Sequence, residues 1–238
     1  MIKFLKKHSL ILITLLFIGS IYFYTTPPGI VISKGDSVQL AITSRFLGFS
    51  VTSGYPLYIC MGKLFTDFSP VNTFYILSIL SGLWGVISLW ILYLLLEQIT
   101  NNKLIPPIIV LLIGFSPVMW SQANIPEVYT LNLLFIVLLF LLVWKFEQTR
   151  NWRYAYIIGY VVGLSTNHHQ TIVLFAPFIA LYLIYRGYKE PKKIIITFLL
   201  FLFGLSFFLY GPVRGVRWFR KYPKDFGFWE DILSIKTW

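Results

Sequence analysis

Two carboxylates in this sequence have the residue type and the setting for acid–base chemistry. Asp36 follows Gly35 and Glu127 follows Pro126, and both lie in polar segments bordered by long apolar runs. Ionisable side chains next to apolar runs are costly to desolvate and commonly mark functional positions. Either carboxylate could act as a general base, and the pair could bind a divalent metal such as Mg²⁺ or Mn²⁺.

Each carboxylate also has a purely structural interpretation. Asp36 has the type of a helix N-cap residue, and Gln39 three positions later would complete a capping box. Glu127 could lie in the first turn of the helix that follows it, where the helix dipole favours an acid. For Asp36 the structural and catalytic interpretations are compatible, so both stay open from the local sequence.

Other candidate residues are aromatic or cationic. His168 and His169 are adjacent and diverge by about 100° on a helix, so they are not expected to bind one ion together. They could hydrogen-bond at the interface, or one could contact a phosphate or a metal. Tyr55 opens an aromatic segment suited to anchoring at the interface or to a sugar ring. Arg214 could extend towards the interface or bind a lipid phosphate with its planar guanidinium.

The composition indicates the class of protein that must position these residues. Of 238 residues, 57% are hydrophobic and 12% are charged, against about a quarter charged in soluble domains. A spanning helix needs roughly 20 apolar residues, and strict alternation of the barrel type is lacking. The sequence therefore predicts an all-α, polytopic membrane helical bundle of about seven transmembrane helices. The predicted spans are 9–24, 74–96, 104–120, 129–146, 154–166, 171–185 and 194–210.

Basic residues indicate how the bundle is oriented. Loops 121–128 and 167–170 contain no Lys or Arg, and the positive-inside rule places them outside and the amino terminus in the cytoplasm. The net charge of +11 therefore indicates lipid head groups rather than nucleic acid as the partner. The cations on the predicted inner side are Lys3, Lys6, Lys7, Lys145, Arg150, Arg153, Arg186, Lys189, Lys192 and Lys193.

Two units are predicted along the chain. Residues 1–212 form the transmembrane domain, with a first outer loop at about 25–73, and residues 213–238 form a basic outward tail that continues in a longer protein. Val38, Ile42 and Phe46 recur every four residues and predict an amphipathic interfacial helix.

The first apolar run is interpreted as an uncleaved helix rather than a signal peptide. Cys60 is the single cysteine, which excludes an internal disulfide.

Four short motifs occur in a recognisable order. They are Gly35-Asp36-Ser37-x-Gln39-Leu40, Gly54-Tyr55-Pro56-Leu57-Tyr58, Trp120-Ser121-Gln122-Ala123 with Glu127-Val128-Tyr129, and Gly163-Leu164-Ser165-x-Asn167-His168-His169. Together they resemble the protein O-mannosyltransferase-like family (transmembrane protein 260-like) of the GT-C glycosyltransferase superfamily. The resemblance covers residues 35–214. One departure is Val51-Thr52-Ser53, where the family often has His-Pro-Pro before the second motif.

The resemblance implies a GT-C-like fold with its active site on the non-cytoplasmic face. It implies transfer of a sugar, with mannose as the candidate, from a polyprenyl-phosphate lipid donor to a hydroxyl of a protein or glycan acceptor. Asp36 matches the catalytic base, and Glu127 matches a further motif position as a second catalytic or metal-binding carboxylate. From their residue types and their places in the motifs, the candidate substrate-binding residues are Tyr55, Gln122, Asn167, His168, His169 and Arg214.

A transporter, a lipid flippase or a non-catalytic membrane assembly partner is the alternative. Transport predicts charges at mid-membrane or broken helices in paired halves. Prolines interrupt several runs, but no run carries a charge at its centre. The compact chain without a retention signal favours a bacterial cytoplasmic (inner) membrane over the endoplasmic reticulum.

Overall fold

The computed structural model describes residues 8–30, 35–48, 55–68, 72–211 and 213–214. The predictions for Lys3, Lys6 and Lys7, for 51–53 and for the tail after Arg214 lie outside this part of the chain. Within it the fold is all-helical, with ten α-helices and a final 3₁₀ turn, Ser206–Leu209. The helices are α1 Ser9–Thr25, α2 Gly35–Phe46, α3 Pro56–Asp67, α4 Thr73–Thr100, α5 Ile105–Gly114, α6 Pro117–Ala123, α7 Tyr129–Thr149, α8 Trp152–Thr166, α9 Thr171–Gly187 and α10 Pro191–Leu205.

Three or four membrane spans follow from length and composition in the described residues. Helices α4 and α7 and the segment Pro191–Leu209 are each long and apolar enough to cross a membrane. The pair α5 and α6 forms a fourth candidate, bent by 64° at its break. Helices α1 and α9 are apolar but shorter, and α8 has 15 residues, about 22 Å of helix. Each predicted run thus coincides with a helix or bent pair, and the count of seven remains a prediction.

The break between α5 and α6 has a local cause. Pro117 begins α6 and Ser116 caps it, its side chain accepting from the backbone N–H of Met119. Proline suits the first helical turn but cannot continue the preceding helix. Tyr22 of α1 donates its hydroxyl to the Gly114 carbonyl at 2.5 Å. The carbonyl left over at the end of α5 is therefore satisfied in a buried setting.

Helix α4 is central, packing against α1 on one side and against α7 on the other. Phe74 and Leu77 of α4 join Leu131 of α7 and Ile158 of α8 in the larger apolar core, and all four are nearly inaccessible. Outward-facing residues of α9 and α10 are also large and apolar, for example Phe178 with 73% exposed. A continuous apolar exterior of this kind is expected where lipid replaces water as the solvent.

Helices α8 and α10 approach each other unusually closely because small residues line the contact. A Cβ on Gly163 would collide with the Phe201 carbonyl, and a Cβ on Gly204 would collide with the Tyr160 carbonyl. Small residues at the contact allow the backbones of two membrane helices to approach this closely. Asn167, at the end of α8, donates to the carbonyl of Gly204 at 3.0 Å. The polar bond and the glycines fix α8 against α10.

Helices α2 and α3 form a hairpin in the predicted first outer loop. Ser44 of α2 is buried against Gly62 of α3. Ile42 and Phe46 are 51% and 61% exposed. Two members of the predicted stripe, Ile42 and Phe46, therefore face away from the protein as contact with lipid requires, whereas Val38 packs against the larger core. Placement of the hairpin at the membrane surface stays a prediction.

Candidate active site

Four segments of the chain meet at one end of the bundle. They are the start of α2, the start of α3, the segment before α7 and the turn between α8 and α9. This end contains Asp36 and Glu127. The described side chains that come together here are acids, tyrosines and histidines, and no described Lys or Arg contacts them directly. Each polar group is positioned by the beginning or the end of a helix, so short motifs separated in sequence converge.

Asp36 presents an exposed carboxylate at the start of α2. The helix begins at Gly35, so Asp36 lies in the first helical turn and not at the predicted N-cap position. Within the described residues its carboxylate makes no hydrogen bond and no ion pair. An acid in this turn is favoured by the helix dipole. Its lone pairs remain available to accept a proton or to bind a cation.

Glu127 is held by tertiary contacts. It lies two residues before α7 begins, so the predicted place in the first helical turn is wrong. Its side chain is 8% exposed, and Ser37 of α2 donates its hydroxyl to Oε1 at 3.1 Å. The Glu127 backbone N–H donates to the Ser81 hydroxyl of α4 at 3.3 Å. Glu127 therefore connects α2, α4 and the segment before α7.

His168 is buried and neutral. Its Nε2 lies 2.8 Å from the Val128 carbonyl, and a carbonyl can only accept, so Nε2 carries the proton. Burial lowers the pKa of His168 to about 3, while the hydrogen bond to Val128 opposes this shift. Its Nδ1 is buried with no hydrogen-bond partner in the described part of the chain. The imidazole therefore positions the segment next to Glu127 without carrying charge.

His169 has the same tautomer for a different reason. Its Nδ1 accepts from the Thr171 backbone N–H at 3.3 Å, so Nε2 carries the proton. Burial lowers the pKa of His169. Its ring stacks on Tyr55, with centroids 6.1 Å apart and planes at 18°, and lies 5.6 Å from the Tyr129 ring. An aromatic surface with one N–H donor results.

The aromatic segment that Tyr55 opens forms the beginning of α3. Tyr55 has φ 38° and ψ 53°, the left-handed region, and Pro56 follows it as the first helical residue. A bulky residue in that region is strained, and such strain concentrates at functional sites. Tyr58 is fully buried and stacks on His168 with planes at 18°. Burial and the charge of Glu127 raise the pKa of Tyr58.

The Tyr129 hydroxyl joins these groups into one neighbourhood. The carboxylates of Glu127 and Asp36 and the phenol of Tyr55 all lie within electrostatic range of it. The structure therefore brings together five predicted site residues: Asp36, Tyr55, Glu127, His168 and His169. Two carboxylates next to an aromatic wall can take up a proton beside a sugar-sized ligand.

The other three predicted residues have different contacts. Arg214 donates to the carbonyls of Leu47 and Phe46 at 3.0 and 3.2 Å, about 15 Å along α2 from Asp36. Asn167 donates to backbone carbonyls of α8 and α10. Gln122 contacts the Ser121 hydroxyl. Their predicted role in binding substrate stays a prediction, and Arg214 and Asn167 have structural roles as well.

The donor set for a metal is small. No group of three or more His, Cys, Asp or Glu side chains suited to a metal ion occurs among the described residues. The carboxylates of Asp36 and Glu127 are hard oxygen ligands. Mg²⁺ commonly takes one or two protein carboxylates and completes its shell with water and substrate phosphate. The two acids fit that mode and do not form a cage of their own.

Sequence reasoning missed several residues of this site. Ser37, Tyr58, Ser81 and Thr171 bind or pack against the predicted residues but were assigned no role. Ser37 and Tyr58 stand inside the first two motifs, which was the available signal. Ser81 lies within the long apolar helix α4, where no local pattern distinguishes a residue that reaches Glu127.

Known proteins match the region that holds this site. A family model described as the protein O-mannosyl-transferase TMEM260 N-terminal domain matches residues 36–192. The protein O-mannosyl-transferase tmem260 of Dictyostelium discoideum is 30% identical over 228 residues, covering 87% of this chain and 28% of the relative. The protein O-mannosyl-transferase TMEM260 of Mus musculus is 27% identical over 208 residues, covering 83% and 29% respectively. No solved structure matches.

The chain therefore spans less than a third of the length of these relatives. The family model covers more than half of the chain, and Asp36, Glu127, His168 and His169 all lie inside the match. By this match the chain belongs to the protein O-mannosyl-transferase TMEM260 family, and residues 36–192 match the N-terminal domain of that family.

Proposed function

We propose that this integral membrane protein is a glycosyltransferase that moves mannose from a polyprenyl-phosphate donor to a hydroxyl of a protein or glycan acceptor. The observation that supports this best is the exposed carboxylate of Asp36, which makes no hydrogen bond or ion pair with any described residue and lies beside the buried Glu127. Both lie within a region matched by a family named for O-mannosyl transfer. The relatives' names supply the sugar and the reaction class, and the geometry supplies the acid–base group.

In the proposed step, the acceptor hydroxyl gives its proton to Asp36 as its oxygen bonds to C1 of the sugar. The bond from C1 to the donor phosphate oxygen breaks at the same time, and polyprenyl phosphate leaves with the electron pair. A single direct displacement inverts the anomeric centre. A positioned base typically contributes about 10²–10⁴-fold, and the phosphate leaving group needs no strong general acid.

Glu127 positions this base through α2. Its carboxylate accepts from Ser37, the residue after Asp36, so the orientation of the first turn depends on it. Tyr55 and His169 form the stacked surface that we assign to the sugar ring, with the His169 Nε2–H as a donor to a sugar hydroxyl. His168 stays neutral and holds the Val128 carbonyl in place.

A metal is a further part of the proposal. Asp36 and Glu127 would hold Mg²⁺ or Mn²⁺ together with the donor phosphate, since two carboxylates alone do not complete its shell. When bound, the ion would neutralise charge on the leaving phosphate. Arg214 donates to the carbonyls of Leu47 and Phe46, about 15 Å along α2 from Asp36, so it is not assigned to this phosphate. Treatment with a chelator followed by return of each metal tests this assignment.

The proposal also includes the finer architecture. Seven spans in a GT-C-like arrangement place the amino terminus in the cytoplasm and the site on the non-cytoplasmic face, in a bacterial cytoplasmic membrane. Supporting this, loops 121–128 and 167–170 beside the site carry no Lys or Arg, while the loops at the opposite end are basic.

The test is a donor panel in membranes that contain this chain. Radiolabelled mannose and glucose would be offered on polyprenyl phosphate and, separately, on a nucleoside diphosphate, with a protein extract as acceptor. We expect label in protein and release of polyprenyl phosphate from the lipid-linked mannose alone. Transfer only from the nucleotide-linked sugar, or from no donor, would contradict the proposal.

A further inference from the structure

A second polar site lies at the end of the bundle opposite to Asp36. It is formed where α7 and α9 end and where α8 and α10 begin. Helix α7 has 21 residues, so about 30 Å of helix separates the two ends. This site cannot contact a ligand's reacting atoms at the carboxylate end, and the proposed transfer step does not use it.

The site is a cavity of about 590 Å³. Its lining combines three cations and one carboxylate with large aromatic rings, and we call it the basic–aromatic cup. The lining residues are Phe146, Arg150, Trp152, Tyr185, Arg186, Tyr188, Glu190 and Lys193. The cup therefore carries an excess of positive charge at a place where the chain leaves the apolar spans.

Acids position the cations of the cup but do not occupy all of their hydrogen-bond donors. Arg150 and Arg186 each donate through Nη2 to the same Oε1 of Glu147. Each guanidinium has five N–H donors, and beyond Glu147, Arg186 also interacts with the Tyr182 hydroxyl, so both guanidinium groups keep further N–H donors. Arg150 also adopts φ 53°, a strained conformation for a residue with a Cβ. The remaining donors form a pre-arranged fork for an anion.

Aromatic rings hold the same cations in place. The Arg186 guanidinium lies 5.7 Å from the Tyr182 ring centroid and 5.6 Å from that of Tyr185. Lys193 lies 5.5 Å from the Trp152 ring, and the Trp152 N–H donates to Glu190 at 2.9 Å. Tyrosine and tryptophan with one apolar and one polar end are typical of the membrane interface.

An apolar groove continues from the cup along the same two helices. It lies between α7 and α9, has a volume of about 180 Å³, and is lined almost entirely by hydrocarbon and aromatic surface. Val143 and Tyr182 lie at its near end, one helical turn before Phe146 and Tyr185 of the cup. The polar cup and the apolar groove are therefore consecutive along one line parallel to the spans.

We propose that the cup and groove together bind one anionic phospholipid. Its phosphodiester accepts from Arg150 and Arg186 in the cup, and one acyl chain lies in the groove between α7 and α9. Charge complementarity, the interfacial aromatic residues and the continuity of a polar with an apolar compartment all indicate this ligand. The site is separate from the proposed sugar-transfer site and does not depend on it.

The experiment uses the purified full chain in detergent and native mass spectrometry of retained lipid. Phosphatidylglycerol and phosphatidylcholine of identical chains are offered in equal amounts, with inorganic phosphate in a separate arm. We expect phosphatidylglycerol to be retained at least about tenfold over phosphatidylcholine, the size expected for charge-assisted hydrogen bonds. Equal retention of both lipids, or displacement of phosphatidylglycerol by millimolar phosphate, would overturn the proposal.

Variants separate binding from a structural effect. Arg186→Gln should abolish the preference, whereas Arg153→Gln, an exposed cation at the same end, should leave it unchanged. Glu147→Gln removes the acid that positions both arginines, and we expect it to lower the preference by less than Arg186→Gln does. Val143→Phe should lower retention by filling the groove. An equal loss in Arg153→Gln and Arg186→Gln would show that the cup is not a lipid site.

Discussion

The two ends of the bundle use carboxylates in opposite ways. At the basic–aromatic cup, Glu147 and Glu190 each lie in ion pairs with cations. At the other end, Asp36 has no ion pair within the described residues, and Glu127 accepts from a serine hydroxyl. An acid bound by cations organises charge but is a poor proton acceptor. Asp36, which has no cation partner within the described residues, keeps its lone pairs for chemistry, and this supports the proposal that transfer takes place at the Asp36 end.

Both ends depend on the same helices. Disturbing the packing of α8 against α10 should therefore reduce both sugar transfer at the Asp36 end and lipid retention at the cup. Gly163→Ala places a Cβ against the Phe201 carbonyl and the Leu205 amide of α10, and backbone atoms cannot move aside cheaply. We expect a loss of about 3 kcal/mol in stability, at the upper end for overpacking. The measurement is thermal unfolding in detergent with transfer and lipid retention assayed together.

Gly29→Ala is the matched control, because nothing lies within 4 Å of the Cβ that it adds. Its unfolding midpoint should match that of the wild type. A Gly163→Ala protein as stable as the control would show that the close approach of α8 and α10 is not required.

Changing one carboxylate at each end sharpens the comparison. Glu127→Gln keeps the shape of the side chain but weakens the bond from Ser37, and a hydrogen bond to a charged group is worth about 1.5–3 kcal/mol. We expect the transfer rate to fall about 10- to 100-fold. Glu190→Gln, at the cup, should leave the transfer rate unchanged when measured in the same membranes. Equal losses in the two variants would mean that the ends are not functionally distinct.

Lowering the pH should destabilise the carboxylate end through His168. Its pKa is about 3 in the folded chain and about 6.5 when unfolded, so between these values the unfolded chain binds more protons. The stabilising contribution is complete above about pH 6.5 and decreases as the pH falls. At pH 5 the loss is about 2 kcal/mol from this residue.

Thermal unfolding at pH 7.5 and pH 5.0 measures this effect. His168→Gln cannot titrate, so its unfolding midpoint should change less between the two pH values than that of the wild type. His169→Gln should flatten the dependence to a smaller degree, because His169 is only half-buried. An identical pH dependence in wild type and His168→Gln would show that the buried imidazole does not control this stability.

Much of this arrangement was predictable from sequence because it depends on local patterns. Apolar runs fix where helices form, and Pro56 after Tyr55 marks the beginning of α3. The motif order also predicted that Asp36 and Glu127 belong to one site. The bend between α5 and α6 was less predictable, since one apolar run, 104–120, forms two helices at 64° to each other.

The partners of the site residues required the tertiary structure. Arg214 had the type of a phosphate ligand, but only the fold shows that its guanidinium binds the carbonyls at the end of α2. Asn167 stood in a motif with two histidines, yet its amide binds α10, about 37 positions along the chain. Such contacts depend on where a distant backbone group happens to be left without a helical partner.

The most direct test of the contrast between the ends is the transfer rate of Asp36→Asn from lipid-linked mannose. It would be compared in one membrane preparation with the wild type, with Asp67→Asn as an exposed acid on the same hairpin, and with Arg186→Gln at the cup. The account predicts a loss of about 10²–10⁴-fold for Asp36→Asn and near wild-type rates for the other two. An Asp36→Asn protein that transfers mannose at the wild-type rate would contradict it.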